Sequence, residues 1–493
     1  MGSRMSVTTE AESGLSAGQL AAVDRIAAWL AAAPPVRYCG DPACMGLEPG
    51  GDEVPHTHGG AREHPVLSVG GLAGSGKTHV MGQIAALLGK RVSYGTPTNK
   101  AAAVLRSKLP EAERSRAGTY HSLLYRPNCW HECLRSGEAA QSLACACGRG
   151  FEHDDCACPR YACAACAGHG DGAGGGCKVE EHLSFEPRPF AGGYRDLLVL
   201  DEASMITEEQ VESIRKFGLP VLLVGDHGQL SPVKGAVSPW MASPDILLEE
   251  NFRQSEASGI IQAALYARRA GAIAQGRYGT SALVASGTAR PELYDALLPH
   301  RLPPGPDSAI LTWTNRGRSD INRKIHAAMA LAAGADPEAA LSAGDRLVAL
   351  GAYQCEAVKR NSAGQWVAQG AQHRTFNGQF GTVLEVLKTG KRHADAVIAL
   401  EDPANPHAPV EGRAKVLRRL DLQQLGSDRQ LRPDERAPGA AAWDFGYALT
   451  CHRAQGSEFD SVAVVGCGPS GAERGRWLYT ACTRAKSKLL VIT

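Results

Sequence analysis

The residues Gly71-Leu72-Ala73-Gly74-Ser75-Gly76-Lys77-Thr78 fill every fixed position of the spacing G-x-x-x-x-G-K-[ST], which wraps a polyphosphate. Glycines let such a loop turn its backbone N–H groups inward, and the helix that follows adds the positive end of its dipole. Gly74, Ser75 and Gly76 then supply backbone donors, Lys77 reaches the β- and γ-phosphates, and Thr78 is an oxygen ligand for Mg²⁺. A second cluster, Leu197-Leu198-Val199-Leu200-Asp201-Glu202, is an apolar run that delivers two adjacent acids. Buried parallel strands do this at the carboxyl edge of an α/β sheet, where active sites gather. Asp201 there holds the Mg²⁺ shell, and Glu202 orients or deprotonates an attacking water. Gln229 follows a further apolar run, with an amide suited to sensing a terminal phosphate, and Arg253 offers charge for the same purpose. Phosphate loop and acid pair together predict nucleoside triphosphate hydrolysis.

Cysteine is the other chemical signal. Cys129, Cys133, Cys145, Cys147, Cys156, Cys158, Cys163, Cys166 and Cys177 crowd one segment, with His131, His153 and His169 among them. In a reducing compartment so dense a group reads as metal ligands rather than disulfides. Tetrahedral zinc takes four ligands, so about two ions fit with the pairing open, and a [4Fe–4S] cluster is the alternative. Six acids face three arginines within this segment, a balance that favours a structural or protein-docking module over a grip on phosphates. A looser set, Cys39, Cys44, His56 and His58, has the spacing either of one more zinc site or of plain Pro/Gly-rich loop.

These groups need strands and helices to carry them. Leu15 to Leu30 predicts an amphipathic helix with Leu20, Val23, Ala27 and Leu30 on one face, Ser16 as cap, and Gln19 offering an amide to an adenine edge. Val80, Met81, Ile84, Leu87 and Leu88 mark the buried face of the helix after the phosphate loop. Pro97 ends a strand, and Asn99 is placed to cap a helix starting at Lys100. Thr207 to Gln210 has the spacing of a capping box. A second α/β unit begins near Ala309, resumes at Tyr447 to Gly466 and closes at Trp477 to Thr493, with Arg484 ahead of the final strand. Two such lobes with a nucleotide between them let an arginine of the second reach the phosphates held by the first.

A chain of 493 residues has room for about three domains. Gly2, Ser3 and Arg4 ahead of Met5 read as an expression remnant, so the fold is expected to begin at Met5. No apolar run approaches the roughly 18 residues of a membrane span, which predicts a soluble, cytoplasmic protein. Lys+Arg 52 against Asp+Glu 51 neither demands nor excludes nucleic acid.

The order and wording of GLAGSGKT, TPTNKAA, TYHSLL, LDEAS, GDHGQLSPV, ENFRQ, TWTN, FNGQFGTV, the run Thr450 to Asp460 and YTACTRA resemble a superfamily 1 DNA helicase of the RecD-like and Dda-like branch. The resemblance implies an α/β fold of two RecA-like parallel-sheet motor domains, with ATP and Mg²⁺ at their interface and movement 5′ to 3′ on single-stranded DNA. It places the first motor domain at 5–125 and 179–256, with a small insert at 34–64, and the second at 257–381 and 437–493. An SH3-like β-barrel is expected at 382–436, and the Cys-rich zinc insertion at 126–178 stands where the family carries a pin domain. Gln229, Arg253 and Arg484 become γ-phosphate contacts, Arg484 as the arginine finger, and Glu458 lies near the ribose. Pro97, Thr98, Asn99, Thr119, His121, Thr450 and His452 become the DNA track. The partners implied are single-stranded and forked DNA, and a protein docked on the zinc insertion, for a motor acting as a monomer. The competing reading is a nucleotide-gated DNA-binding or scaffold subunit that recruits a partner without separating strands.

Overall fold

The computed structural model describes residues 15–33, 65–88, 92–133, 139–140, 179–187, 197–215, 217, 219–232, 238–248, 259–285, 307–402, 405, 408–466 and 468–492. The first lobe is built on strands β1 (Val66–Gly71), β2 (Val92–Thr96), β3 (Ala117–Thr119), β4 (Leu197–Leu200), β5 (Val221–Gly225) and β6 (Ile246–Leu248). They pair in parallel in the order β3-β2-β4-β5-β1-β6. Central strands buried on both faces need apolar residues at successive positions. In β4, Leu197 and Val199 enter the core shared with Val80, Met81 and Ile84, while Leu198 and Leu200 enter the opposite core with Ile206, Val211 and Ile214.

Helices α1 (Ala17–Ala32), α2 (Lys77–Leu88), α3 (Asn99–Lys108) and α4 (Tyr120–Leu124) lead into or out of this sheet. Helix α1 starts in the expected capping box at Ser16, but its buried positions are Gln19, Ala22, Val23 and Ile26. The expected face through Leu20, Ala27 and Leu30 is rotated, because Ile26 rather than Leu30 meets the core and the two leucines pack on its margin. Asn99 is not the cap of α3. Thr98 is: its extended backbone lets the hydroxyl accept from the Ala101 N–H at 3.2 Å, so the helix starts one residue earlier and Asn99 is exposed. Thr207 and Gln210 do form the capping box, at 2.9 and 3.3 Å.

The second lobe uses β7 (Gly276–Tyr278), β8 (Ala282–Ala285), β9 (Ser308–Thr312), β10 (Ala448–Thr450), β11 (Phe459–Val465) and β12 (Ala485–Ile492) in the order β7-β8-β12-β11-β9-β10. All pairs are parallel except β7 with β8. Helices α5 (Gly259–Ala270), α6 (Asn315–Ala332), α7 (Cys451–Ala454) and α8 (Ala472–Cys482) pack with it. Between α6 and β10 the chain forms a seven-stranded antiparallel sheet that starts at Arg346 and ends at Phe445. It is wider than the interval expected at 382–436. The strands at Gln354–Arg360 and Trp366–Arg374 escape the alternation rule because most of their residues are exposed or half-exposed. The outermost strands, Trp366–Arg374 and Trp443–Phe445, are not paired with each other.

Tyr125–Cys133 and Val179–Pro187 form an antiparallel ribbon, with Tyr125 opposite Pro187 and Cys133 opposite Val179. Cys133 and Val179, paired at one end of the ribbon, bracket 134–178, and Ala139–Ala140 adds a short third strand opposite Glu132 and His131. Cys129 and Cys133 sit four residues apart on an extended strand, about 13 Å between their backbones, farther than two ligands of one tetrahedral ion stand. Cys39, Cys44, His56, His58, Cys145, Cys147, Cys156, Cys158, Cys163, Cys166, Cys177 and Arg253 lie outside the described residues. Among the described residues no group of three or more His, Cys, Asp or Glu is placed to hold a metal, and no helix is long and apolar enough to cross a membrane.

The antiparallel sheet is anchored to the second lobe by buried polar groups. Arg318 of α6 pairs with Asp444, both buried. His326 Nδ1 lies 2.7 Å from Asp345 Oδ1 and Nε2 lies 2.7 Å from the Ala339 carbonyl, while Tyr447 donates to the same Asp345 oxygen at 2.8 Å. Both ring nitrogens face acceptors, so the imidazolium is the form that satisfies them. Burial alone would lower the imidazole pKa, but the bonds to Asp345 and Ala339 raise it above 6.5. The stabilisation is therefore full below about pH 6.5 and is lost as pH rises through the raised folded value. Urea midpoints of the wild-type chain and His326→Gln, compared from about pH 6 to 9, should converge as pH increases. A gap independent of pH would show that the ring is neutral throughout.

Candidate active site

The carboxyl ends of β1, β4 and β5 lie side by side, and the loops that follow them face the second lobe. They open on a cleft of about 610 Å³ lined by Gly74, Gly76, Lys77, Thr78, Asp201, Glu202 and Gln229 from the first lobe and by Gly456, Glu458 and Arg484 from the second. Segments as distant in sequence as Lys77 and Arg484 thus share one cavity of the size a nucleotide needs.

The phosphate loop has the strained backbone its glycines permit: Gly74 and Gly76 have φ of 86° and 82°. Lys77 Nζ donates to the carbonyls of Gly71 and Leu72 at 2.8 and 2.9 Å, which holds the ammonium over the loop. Ser75 Oγ is buried with no hydrogen-bond partner among the described residues. Gln19 braces the loop from behind. Its Nε2 donates to the Ser75 carbonyl at 3.1 Å, its Oε1 accepts from the Ser16 N–H at 3.1 Å, and a Cβ on Gly76 would stand 1.9 Å from its Nε2. One N–H and one lone pair of that amide are left for any contact with adenine.

Glu202 is the one non-glycine residue with positive φ among the described residues, at φ 55° and ψ 38°. A glutamate held in the left-handed region carries strain that the neighbouring structure must enforce. Enforcement comes from β5, since a Cβ on Gly225 would meet the backbone nitrogens of Ser204 and Ala203 at 3.0 and 3.2 Å. Burial and then the adjacent Asp201 raise the Glu202 pKa, with Arg484 and Lys77 opposing in part. A carboxylate pushed upward is a better proton acceptor near neutral pH. Thr78 and Asp201 give the same cleft a hydroxyl and a carboxylate, the hard oxygen donors that suit Mg²⁺.

Arg484 is buried, with Nε donating to the Thr480 carbonyl at 3.1 Å and Nη1 to the Ser457 carbonyl at 3.2 Å. Glu458 stands 3.7 Å from Lys486 Nζ at the rim. Of the residues expected to touch DNA, Thr98, Thr119 and Thr450 occupy N-cap positions at the ends of strands, and Thr119 accepts from the Ser122 N–H at 3.1 Å. Pro97 precedes Thr98, His121 is exposed on α4, and the His452 ring lies 5.2 Å from that of Trp313. Thr314, missed in the sequence, caps α6 in the same manner at the end of β9, and its signal was the TWTN block itself.

A phosphate loop, an acid pair and a second-lobe arginine thus meet around one cleft. Two family models match the chain: an AAA domain over residues 60–288 and a UvrD-like helicase C-terminal domain over residues 445–492. The ATP-dependent RecD2 DNA helicase of Deinococcus radiodurans is 26% identical over 439 residues, 86% of this chain and 46% of that protein. The chain thus spans less than half the length of the curated relative it matches. Among solved structures, Pif1 helicase from Bacteroides in complex with ADP-AlF3 and ssDNA aligns at 15% identity and a TM-score of 0.41, covering 87% of this chain and 88% of that one. Pif1 helicase from Candida albicans aligns at 13% identity and a TM-score of 0.42, covering 97% and 95%. The chain is thus similar to an AAA domain and a UvrD-like helicase C-terminal domain over two stretches, and to a RecD2 helicase along most of its own length.

On the roles expected from the sequence, Lys77→Ala and Glu202→Gln should both lose nucleotide hydrolysis, by roughly 10²-fold or more, since one removes the ammonium meant for the phosphates and the other the carboxylate meant for the water. Their nucleotide affinities should separate: equilibrium titration with a fluorescent ATP analogue is expected to show weak binding by the first and retained binding by the second. Wild-type turnover in either variant would refute the assignment of that residue.

Proposed function

We propose that the protein is an ATP-dependent DNA helicase that moves 5′ to 3′ along single-stranded DNA and opens duplex ahead of it. The observation that carries this reading is the single cleft in which Lys77, Thr78, Asp201, Glu202 and Gln229 of one lobe meet Glu458 and Arg484 of the other. Lys77 and the loop N–H groups bind the phosphates, Glu202 takes the proton of the attacking water, and Arg484 meets charge that develops on the terminal phosphate. Mg²⁺, held by Thr78 and Asp201, supplies charge neutralisation when bound. Hydrolysis that needs both lobes changes how they meet, and the capping threonines Thr98, Thr119 and Thr314, with Thr450 at a helix start that its side chain does not cap, supply polar contacts for a phosphodiester track on both. A scaffold without motor activity has no use for a cleft in which each of these described chemical positions is filled.

The Cys-rich segment binds about two Zn²⁺ at the end of the ribbon, where metal supplies folding free energy that few large apolar residues can. It holds a strand-splitting or protein-docking element in a cytoplasmic, monomeric enzyme. Elemental analysis of the purified chain should find zinc; iron would favour the cluster alternative.

ATP hydrolysis should rise sharply with single-stranded DNA, and forked duplexes should open from a 5′ tail and not from a 3′ tail. Equal unwinding from either tail would remove the polarity. Hydrolysis without unwinding of any substrate would leave the scaffold reading. Arg484→Ala should bind ATP and DNA yet hydrolyse on the order of 10³-fold more slowly, as expected for a group that acts mainly in the transition state. Weakened ATP affinity with unchanged turnover would refute that role.

A further inference from the structure

Tyr479 lies on α8 in the second lobe and is 1% exposed, yet its hydroxyl ends inside the first lobe. There it accepts from the Ala73 N–H of the phosphate loop at 2.9 Å and donates to Asp226 Oδ2 at 2.8 Å. Burial, then the Asp226 charge, holds the phenol pKa well above 10, so the donor is always present. Asp226 is itself buried, and two further donors reach it. Oδ1 takes the Gly228 N–H at 2.9 Å, and Oδ2 takes Gln229 Nε2 at 3.3 Å. A carboxylate accepts only, so it turns the nitrogen end of the Gln229 amide toward itself. The oxygen end is left at the cleft, where Gln229 Oε1 is buried with no hydrogen-bond partner among the described residues. An unpartnered acceptor in the cleft that Glu202 also lines suits an O–H donor, which an attacking water has and an ionised phosphate oxygen does not.

Resting on the reading of this cleft as an ATP hydrolase, the geometry points to Tyr479 as a positioning residue for hydrolysis, which acts through Asp226 to aim the Gln229 carbonyl oxygen at the attacking water. The neighbouring contacts tie this device to the second lobe. Thr480 accepts from the Leu230 N–H at 2.9 Å, one residue beyond Gln229, and its carbonyl accepts from Arg484 Nε. A Cβ on Gly228 would stand 3.1 Å from the Tyr479 ring, so the loop carrying Gln229 lies against that ring. One helical turn of α8 therefore positions both the glutamine and the arginine, and a shift of the second lobe moves them together.

Tyr479→Phe keeps the ring and removes the hydroxyl. Steady-state ATP hydrolysis by the full chain with saturating single-stranded DNA should show kcat lowered about tenfold and KM for ATP changed less than about twofold. In a Gln229→Ala background the same change should cause no further loss, because the residue it acts through is gone. Losses that multiply in the double variant, or a Phe variant with wild-type kcat, would overturn the role. Urea midpoints separate this from misfolding. If the Phe variant is destabilised, Asp226→Asn, which keeps the shape and removes the charge, must show the same lack of additivity with Gln229→Ala, and its failure to do so also overturns the proposal. A wild-type chain without ATP hydrolysis would instead strike the reading of the cleft itself.

Discussion

The chemistry of this chain depends on the register of three buried parallel strands. Leu198 and Val66 are both opposite Val221, and from that alignment β4, β1 and β5 deliver Asp201, Gly71 and Asp226 to one edge of the sheet. Successive apolar residues on both faces of β4 and β5 lock the alignment, since a slip of one residue would exchange the contents of the two cores. The glycine at the end of β5 then lets the backbone after β4 come close enough to hold Glu202 in the left-handed region. Strain at that residue is thus a consequence of core packing, imposed where a carboxylate must face the cleft rather than the sheet.

The second lobe meets the first through polar contacts beside the cleft. Leu230 takes hydrogen bonds from both directions, its N–H to Thr480 and its carbonyl from Gln455 Nε2 at 3.1 Å. Farther out, Lys100 at the start of α3 places its ammonium 4.5 Å from the Phe380 ring and 5.2 Å from the Phe459 ring. Burial, and then Arg346 nearby, pull the Lys100 pKa down to about 7. Aromatic faces compensate part of the lost hydration of such a cation. The helix capped by Thr98 is therefore joined directly to the antiparallel sheet and to β11, so the segment proposed to hold DNA and the lobe carrying Arg484 move as neighbours. Gly456 reinforces this contact, because a side chain there would press on Ala101 at 3.2 Å.

Much of this was legible in the chain before any coordinates. The phosphate loop, the acid pair after an apolar strand, Gln229 and the second α/β unit are local signals, each a short spacing whose physical requirement is met within a few residues. Collinearity of the blocks supplied the two-lobed architecture. The errors arose where a signal depends on neighbours. The buried face of α1 was set by which side chain meets the sheet, the cap of α3 by the backbone angles of Thr98, and the extent of the antiparallel sheet by strands whose exposed residues carry no alternation.

Sequence by itself determined which groups this protein owns: a glycine-rich loop ending in Lys77 and Thr78, two adjacent acids, an arginine in a second α/β unit, and a cysteine-rich stretch between that loop and the acids. Tertiary structure decided what those groups face. Gln19 reads as a base-selecting amide, yet its two ends are bonded to Ser16 and Ser75. No spacing in the sequence singles out Tyr479, yet its hydroxyl bridges Ala73 and Asp226 across the lobes. Chemical identity is fixed residue by residue along the chain, whereas a hydrogen bond has direction and short reach, so its partner is known only once distant segments have been packed to within about 3 Å.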